Sequence, residues 1–389
     1  MAQHLVLAGA GHAHMAVLAD LGAFVGKGYR VTVVGPTPHH YYSGMGPGML
    51  GGAYRPEEVR FAVRAMAERR GATYLEDRVV RIDAPARRMH LASGAVLDYD
   101  VASCNVGSGV TLRPSPPGNA IFPVKPIEGL LAAGERLGAL VAREAGAEAS
   151  SEAAHVVVVG GGPASVELAG NVWRLATRVC RAIPTAVMPR ITVLAGRRFL
   201  PRAPEGVRRH CLRSLTRRGV SVREAGYVAD VAAAGQGARL TLATGEVVDA
   251  DMALLATGIR PASLFADSGL SVGPDGGMAV NRFLQSLDDP ALFGGGDCIH
   301  FADRPLDKVG VYAVRQNPIL RHNLMAVLDA GDPARAVLRP FAPQRRYLLL
   351  YNLGDGTAVG WNGWFTFSGW WAFRLKDFLD RRFMRAFQA

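Results

Sequence analysis

Leu5-Val6-Leu7-Ala8-Gly9-Ala10-Gly11-His12-Ala13-His14 opens this chain, and Val156-Val157-Val158-Val159-Gly160-Gly161-Gly162-Pro163-Ala164-Ser165 repeats its pattern far downstream. Each stretch reads as apolar strand, tight glycine turn, helix. In that geometry the backbone N–H groups at a helix N-terminus receive a dinucleotide pyrophosphate. One such turn is a weak signal. Two, each opening a βαβ pattern, imply two dinucleotide sites and electron transfer between their occupants.

Working outward, the first turn leads into a helical stretch over 12–25 and a strand over 29–34. Residues 35–54 are rich in Gly, Pro, Tyr and Met and read as a long functional loop. A helix over 57–70, a strand over 72–75, a small meander over 79–97 and a strand over 99–104 follow. A helix over 129–144 precedes a small, polar linker at 145–154. The second unit repeats the order: strand 156–159, helix 164–177, strand 191–194, helix 205–218, meander, and strand 251–256. The pattern is an internal duplication. Leu292-Phe293-Gly294-Gly295-Gly296-Asp297 and a helix over 309–328 return the chain to the first unit. The expected fold is α/β: two Rossmann-like domains, the second inserted in the first, plus a C-terminal α+β tail. The expected boundaries are 1–150, 151–275, 276–335 and 336–389.

With 389 residues the chain has length for two or three domains. Its 49% hydrophobic and 20% charged content is that of a globular protein. The net charge is +11, and Lys27, Lys125, Lys308 and Lys376 are the only lysines among 44 basic residues. That excess of arginine is read either as compositional drift or as attraction to an anionic partner. Cys104, Cys180, Cys211 and Cys298 are isolated, without the spacing of a redox dithiol, a zinc site or a disulfide framework. This fits a reducing, cytoplasmic compartment. No basic n-region precedes the first apolar run, and no apolar stretch approaches the ~20 residues that span a bilayer.

The candidate chemistry is uneven between the halves. In the first turn His14 holds the third glycine position. Gly35-Pro36-Thr37 stand where an acid would bind a ribose hydroxyl, so a backbone carbonyl or Thr37 must substitute. Asp297, after Gly294-Gly295-Gly296, can accept a hydrogen bond from a ribityl hydroxyl or cap the next element. In the second turn Ser165 replaces the third glycine. Glu167 can orient a nicotinamide or assist proton transfer, or merely favour the helix dipole. Ala195-Gly196-Arg197-Arg198 offer no carboxylate; two arginines there favour a 2′-phosphate, or are simply solvated. The loop His39-His40-Tyr41-Tyr42-Ser43-Gly44-Met45 has no third histidine at metal spacing, so no metal site is read.

These segments, with Tyr42-Ser43-Gly44-Met45, Pro47-Gly48, Val124-Lys125-Pro126-Ile127, Ala256-Thr257-Gly258, Gly296-Asp297-Cys298, Gly310-Val311-Tyr312-Ala313-Val314-Arg315-Gln316, Lys376-Asp377 and Asp380-Arg381-Arg382-Phe383-Met384, resemble the pyridine nucleotide–disulfide oxidoreductase superfamily. Within it the chain is similar to the branch of type II NADH:quinone dehydrogenases and sulfide:quinone oxidoreductases, and to the NAD(FAD)-dependent dehydrogenase-like domain fused to selenide, water dikinases. The resemblance implies FAD in the first unit and NADH or NADPH in the second, with the flavin carrying the redox chemistry. It implies FAD contacts at Gly9, Gly11, His12, Ala13, His14, Pro47, Val80, Gly107, Lys125, Gly296, Asp297, Val311 and Tyr312. It implies nicotinamide-dinucleotide contacts at Gly160, Gly162, Pro163, Ala164, Glu167, Arg197 and Gly258. Glu167, Lys125 and Gln316 take the catalytic roles.

Two departures narrow the acceptor. No cysteine follows Cys298, which disfavours sulfide chemistry. Of the quinone dehydrogenases' Ala-Gln-x-Ala-x-Gln only Ala313 and Gln316 remain. The expected reaction is hydride transfer from NAD(P)H to flavin and electrons onward to a quinone or similar acceptor. The competing reading is an accessory or redox-sensing flavoprotein, linked to selenium metabolism through the fused relatives. In the tail, Trp361, Trp364, Phe365, Phe367, Trp370, Trp371, Phe373, Phe378, Phe383 and Phe387 alternate with Arg374, Lys376, Arg381, Arg382 and Arg385. Residues 361–387 read either as a helix on the inner face of the cytoplasmic membrane or as one packed on the FAD domain or a homodimer interface. No nucleic-acid motif accompanies them.

Overall fold

The computed structural model describes residues 2–112, 118–143, 153–184, 186–224, 226–363 and 365–388. The expected linker at 145–154 and Trp364 of the aromatic tail lie largely or wholly outside the described residues.

Five parallel strands form the first sheet, in the order Leu292–Gly294, Val101–Cys104, His4–Ala8, Arg30–Gly35, Thr73–Glu76. His4–Ala8 is buried along its whole length, as a strand covered on both faces must be. Leu292–Gly294 pairs with Val101–Cys104 although the entire second unit lies between them in sequence. The second unit is therefore inserted in the first. Its own sheet runs Ile121–Pro123, Met252–Leu255, His155–Val159, Arg190–Leu194, Ser221–Arg223, again all parallel. In both sheets the glycine turn follows the central strand, where the strand order reverses; ligands bind such sheets in the crevice at that point.

The duplication extends to side chains. His4 takes Asp100 on its N–H (2.7 Å), the Asp98 carbonyl on Nδ1 (2.6 Å) and Thr32 Oγ1 on Nε2 (2.8 Å). His155 takes Asp251 (2.7 Å), the Asp249 carbonyl (2.9 Å) and Thr192 Oγ1 (2.9 Å) in the same three places. Each histidine pins the start of its central strand to the neighbouring loop and the second strand.

Three expectations need correction. Ile121–Pro123 joins the second sheet, so a boundary at 150 falls too late; this short edge strand carries no glycine turn to announce it. The helix expected over 12–25 breaks into a 3-10 turn at His12–His14 and helices Met15–Ala19 and Leu21–Gly26, with Asp20 out of helical geometry between them. The loop 35–54 contains a short helix, Gly46–Leu50, with Pro47 in its first turn, where a missing N–H costs nothing.

The tail is a three-stranded antiparallel sheet, Leu349–Asn352, Ala358–Trp361 and Thr366–Gly369, followed by the helix Trp370–Phe387. It closes against both units. Phe383 meets Tyr42 (5.0 Å between centroids) and Phe61 (5.9 Å), and Phe387 meets Phe61 (6.4 Å). Gly170, on the helix Pro163–Ala182, touches the backbone of Leu353 so closely that a Cβ would lie 2.6 Å from its carbonyl carbon. Among the described residues no helix is long and apolar enough to cross a membrane.

Candidate active site

Glycine at the first turn is a steric necessity. Gly9 has φ +85°, and a Cβ there would lie 2.9 Å from the Cα of Val106. A Cβ on Gly11 would strike the side chain of Asn105 at 2.8 Å. Asn105 Oδ1 accepts the Ala13 N–H (2.9 Å), and Nδ2 donates to the Gly295 carbonyl (2.6 Å). The Gly296 N–H donates to Gln316 Oε1 (2.7 Å). These bonds fasten the first turn, the end of Val101–Cys104 and the Gly295–Asp297 turn into one cradle. Beneath it His14 is fully buried, with Nδ1 on the Gly9 carbonyl (2.7 Å) and Nε2 on Ser103 (2.8 Å). Burial lowers its pKa to about 4 against the opposing pull of that carbonyl, so the ring is neutral.

At the rim of the cradle Lys125 is ion-paired with Asp297 and donates to Ser108 Oγ (3.0 Å), which itself donates to Asp297 (3.1 Å). Both charged side chains are about four-fifths buried. His12 and His40 share a hydrogen bond of 3.1 Å. Burial pulls both pKa values down, that of His12 to about 3, with Lys125 adding to the effect.

At the second turn Gly160 has φ +132°, and Gly161 packs directly on the backbone of Ala195 and Arg198. Pro163 starts the helix. Ser165 Oγ donates to the Gly162 carbonyl (2.6 Å), which accommodates the missing third glycine.

A continuous cleft of about 2280 Å³ joins the two turns. Glu167 lies in it from the second unit and Lys376 from the tail helix. Lys376 Nζ donates to Asp380 (2.8 Å) and the Gly44 carbonyl (2.7 Å) and stands 3.9 Å from Glu167. Tyr42 donates to the other Asp380 oxygen (3.0 Å), and Glu167 accepts the Asn352 N–H (2.8 Å). Burial opposes the charge on Lys376, but Asp380 and Glu167 outweigh it and its pKa is raised. Glu167 is held above the usual carboxylate range, burial outweighing Lys376 and the Asn352 N–H. Tyr312, Tyr347, Tyr351 and Trp361 form an aromatic wall along the same cleft.

Of the residues singled out in the sequence, Gly9, Gly11, His12, Pro47, Gly107, Lys125, Gly296, Asp297 and Tyr312 line the cleft from the first unit. Gly160, Gly162, Pro163, Ala164, Glu167, Arg197 and Gly258 line it from the second. Five do not. Ala13 is buried, with its N–H taken by Asn105. His14 supports the turn from below. Val80 is 51% exposed and Val79 lines the cleft instead, at a point where the strand Val79–Asp83 departs from regular pairing with Arg88–Leu91. Val311 is half-buried against the core and does not line the cleft, whereas Gly310, Tyr312 and Ala313 of the helix Gly310–Ala330 do. Gln316 is buried with its carbonyl oxygen on the Gly296 N–H, so it positions the cradle.

Sequence reasoning missed Asn105, Asp77 and the inward role of Lys376. Asp77 lines the cleft just past Thr73–Glu76, with its N–H on the Gly35 carbonyl (3.0 Å) and its carboxylate accepting the Arg78 (2.7 Å) and Ser93 (3.3 Å) N–H groups. A compositional signal was present for Lys376. In a chain that uses arginine almost everywhere, three of the four lysines, Lys125, Lys308 and Lys376, line this cleft.

Two nucleotide-type folds facing one cleft define a two-dinucleotide oxidoreductase. The chain belongs to the pyridine nucleotide-disulphide oxidoreductase family, whose profile matches residues 3–325. It is similar to an NADH dehydrogenase-like protein of Mycobacterium tuberculosis, 28% identical over 301 residues, which cover 76% of this chain and 71% of that protein. It is also similar to the nitric oxide reductase FlRd-NAD(+) reductase of Vibrio vulnificus, 29% identical over 205 residues, covering 52% and 49%. In fold it resembles NDH2 of Plasmodium falciparum in complex with NADH, with TM-score 0.78, 13% identity and coverage of 100% and 99%. The sulfide:quinone oxidoreductase of Aquifex aeolicus follows with TM-score 0.76, 15% identity and coverage of 100% and 92%. The cofactors of this class are FAD and NADH or NADPH. The glycine cradle, closed to any Cβ and rimmed by Lys125 and Asp297, fits the first of them.

Proposed function

We propose that this chain is an FAD-dependent NAD(P)H dehydrogenase that delivers electrons to a quinone or similar flat acceptor. The observation that carries the reading is the single cleft, into which both glycine turns, the buried Glu167–Lys376 pair and the tail's aromatic wall all open. Gly9, Gly11, Gly107, Gly296, Asp297 and Lys125 would hold FAD; Gly160, Gly162, Pro163, Ala164 and Gly258 would hold the nicotinamide dinucleotide. Bound flavin supplies two-electron exchange between the nicotinamide and the second acceptor. The chain's own residues do the rest. Lys125 and Lys376 would place positive charge in the cleft, which favours a reduced, more negative group held there. Glu167, with its raised pKa, can hold a proton and hand it on beside Lys376. Tyr351 and Trp361 offer apolar faces to a planar acceptor.

The tail supports an approach to a membrane-borne acceptor. Its helix buries Lys376, Asp380 and Met384 but exposes Trp370 (70%), Trp371, Phe378 and Leu379, interleaved with Arg374, Arg382 and Arg385. A basic, aromatic face of this kind suits an anionic bilayer surface.

The test is the visible spectrum of the purified protein, followed by anaerobic mixing with NADH and NADPH and then with a short-chain quinone. Flavin bleaching by a nicotinamide and its return on adding quinone are expected. A flavin that neither dinucleotide bleaches ends the dehydrogenase reading. Co-sedimentation with anionic liposomes tests the tail: replacing Trp370, Trp371 and Phe378 by Ser together should abolish it.

A further inference from the structure

The end of strand Arg190–Leu194 is where a Rossmann half meets the adenosine ribose, and a carboxylate there selects NADH by accepting the ribose hydroxyls. Here Ala195-Gly196-Arg197-Arg198 line the cleft at that point. The nearest acid in sequence beyond the neighbouring strand, Glu224, is turned away. It accepts the Phe199 N–H (2.9 Å) and pairs with Arg208 (2.7 Å).

The two arginines have separate fates. Arg198 is tied to Glu205 at 3.1 Å. Arg197 forms no ion pair among the described residues, and its guanidinium lies 5.7 Å from the centre of the Tyr227 ring. The turn is shaped around that ring. Gly196 has φ +73°, and a Cβ on it would meet Tyr227 Cε1 at 2.9 Å. The Gly226 N–H donates to the Gly196 carbonyl (3.2 Å), which holds Tyr227 beside the turn. Tyr227 is 60% exposed, too much for a core aromatic. A planar cation stacked on an aromatic face keeps its N–H edge free for a phosphate.

We infer that the second site is built for NADPH, with Arg197, steadied by Tyr227, taking the 2′-phosphate of the adenosine ribose. This rests on the proposed nicotinamide site and deepens it. Arg198, held by Glu205, contributes little. The guanidinium–phosphate bond is charge-assisted and open to solvent, so added salt weakens it.

Calorimetric titration of the flavin-loaded protein with 2′,5′-ADP and with 5′-ADP tests the inference without turnover. The wild type is expected to bind 2′,5′-ADP about tenfold or more tightly than 5′-ADP. Arg197→Ala should remove that difference while changing 5′-ADP affinity less than about threefold. Arg198→Ala should keep it. Tyr227→Ala should reduce it and Tyr227→Phe restore it, because the ring face rather than the hydroxyl is used. Equal affinity of the wild type for the two nucleotides, no binding of either, or equal weakening of both by Arg197→Ala would overturn the inference. Preferential 2′,5′-ADP binding with a flavin that no nicotinamide reduces would leave the inference standing and end the dehydrogenase reading. Flavin reduction without 2′-phosphate preference would do the reverse.

Discussion

Replacing Lys376 by Met is the sharpest test of how the tail is joined to the two units. The side chain is about nine-tenths buried and, among the described residues, is the only cation ion-paired with both Asp380 and Glu167. Met keeps the length and apolar stem and removes the charge. Asp380 then retains the Tyr42 hydroxyl as donor but loses its ion-pair partner, and the Gly44 carbonyl loses its Nζ donor. Breaking one side of a buried pair costs about 3–5 kcal/mol, a large share of the roughly 5–15 kcal/mol that holds a domain folded. The exposed pair Arg88–Asp98 is the control, since removing it costs under about 1 kcal/mol. Urea denaturation at pH 7.5, followed by tryptophan fluorescence, compares the two variants with wild type. Tail unfolding can precede the rest, so the early transition is the one to read. The triple change Lys376→Met, Asp380→Leu, Glu167→Gln should recover most of the loss, because an apolar replacement of a whole buried ion cluster is close to neutral. If Lys376→Met shifts the transition no more than Arg88→Met does, the buried network is not what fastens the tail.

His14 makes stability sensitive to acid. Its folded pKa, lowered by burial to about 4, lies below the unfolded value of about 6.5, so its contribution is intact above pH 6.5 and is lost as pH falls towards 4. The loss reaches about 3 kcal/mol; His14→Gln should flatten the urea-midpoint profile between pH 7 and 4, and unchanged slopes would refute this. Gly9→Ala forces a Cβ into the Asn105–Val106 backbone from a positive φ. Purified Gly9→Ala protein should therefore carry little flavin absorbance. Gln316→Leu strands the Gly296 N–H, at about 1–3 kcal/mol. It should lower flavin retention and leave the rate per bound flavin nearly unchanged. A rate collapse with full flavin would return Gln316 to a catalytic role.

The order strand, glycine turn, helix was legible twice because parallel strands buried on both faces must be continuously apolar, and because the turns admit only glycine where backbone from the next strand arrives. The return of Leu292–Gly294 to the first sheet was legible for the same reason. The glycine run before Asp297 marked a turn where backbone comes close, and Asp297 lines the cleft there; whether it would contact a ligand or cap the next element was not decided by its sequence. Other features were not local. Ile121–Pro123 is three residues long and takes its place from its neighbour Met252–Leu255. Val79 and Val80 are equally apolar, and only the irregular pairing of their strand in the folded chain decides which one lines the cleft.

Sequence by itself determined that two nucleotide-type folds are nested in this chain, since that follows from local sterics and periodicity. Tertiary structure decided what the residues between them do. Lys376 belongs by composition to a basic, aromatic tail, and sequence leaves its helix facing either a membrane or the protein. Packing of Phe383 and Phe387 on Phe61 rotates the helix so that Lys376 points inward to Glu167, while Trp370 and Phe378 point out. That orientation is set by contacts between segments more than 300 residues apart, such as the Lys376–Gly44 bond, which no stretch of sequence contains.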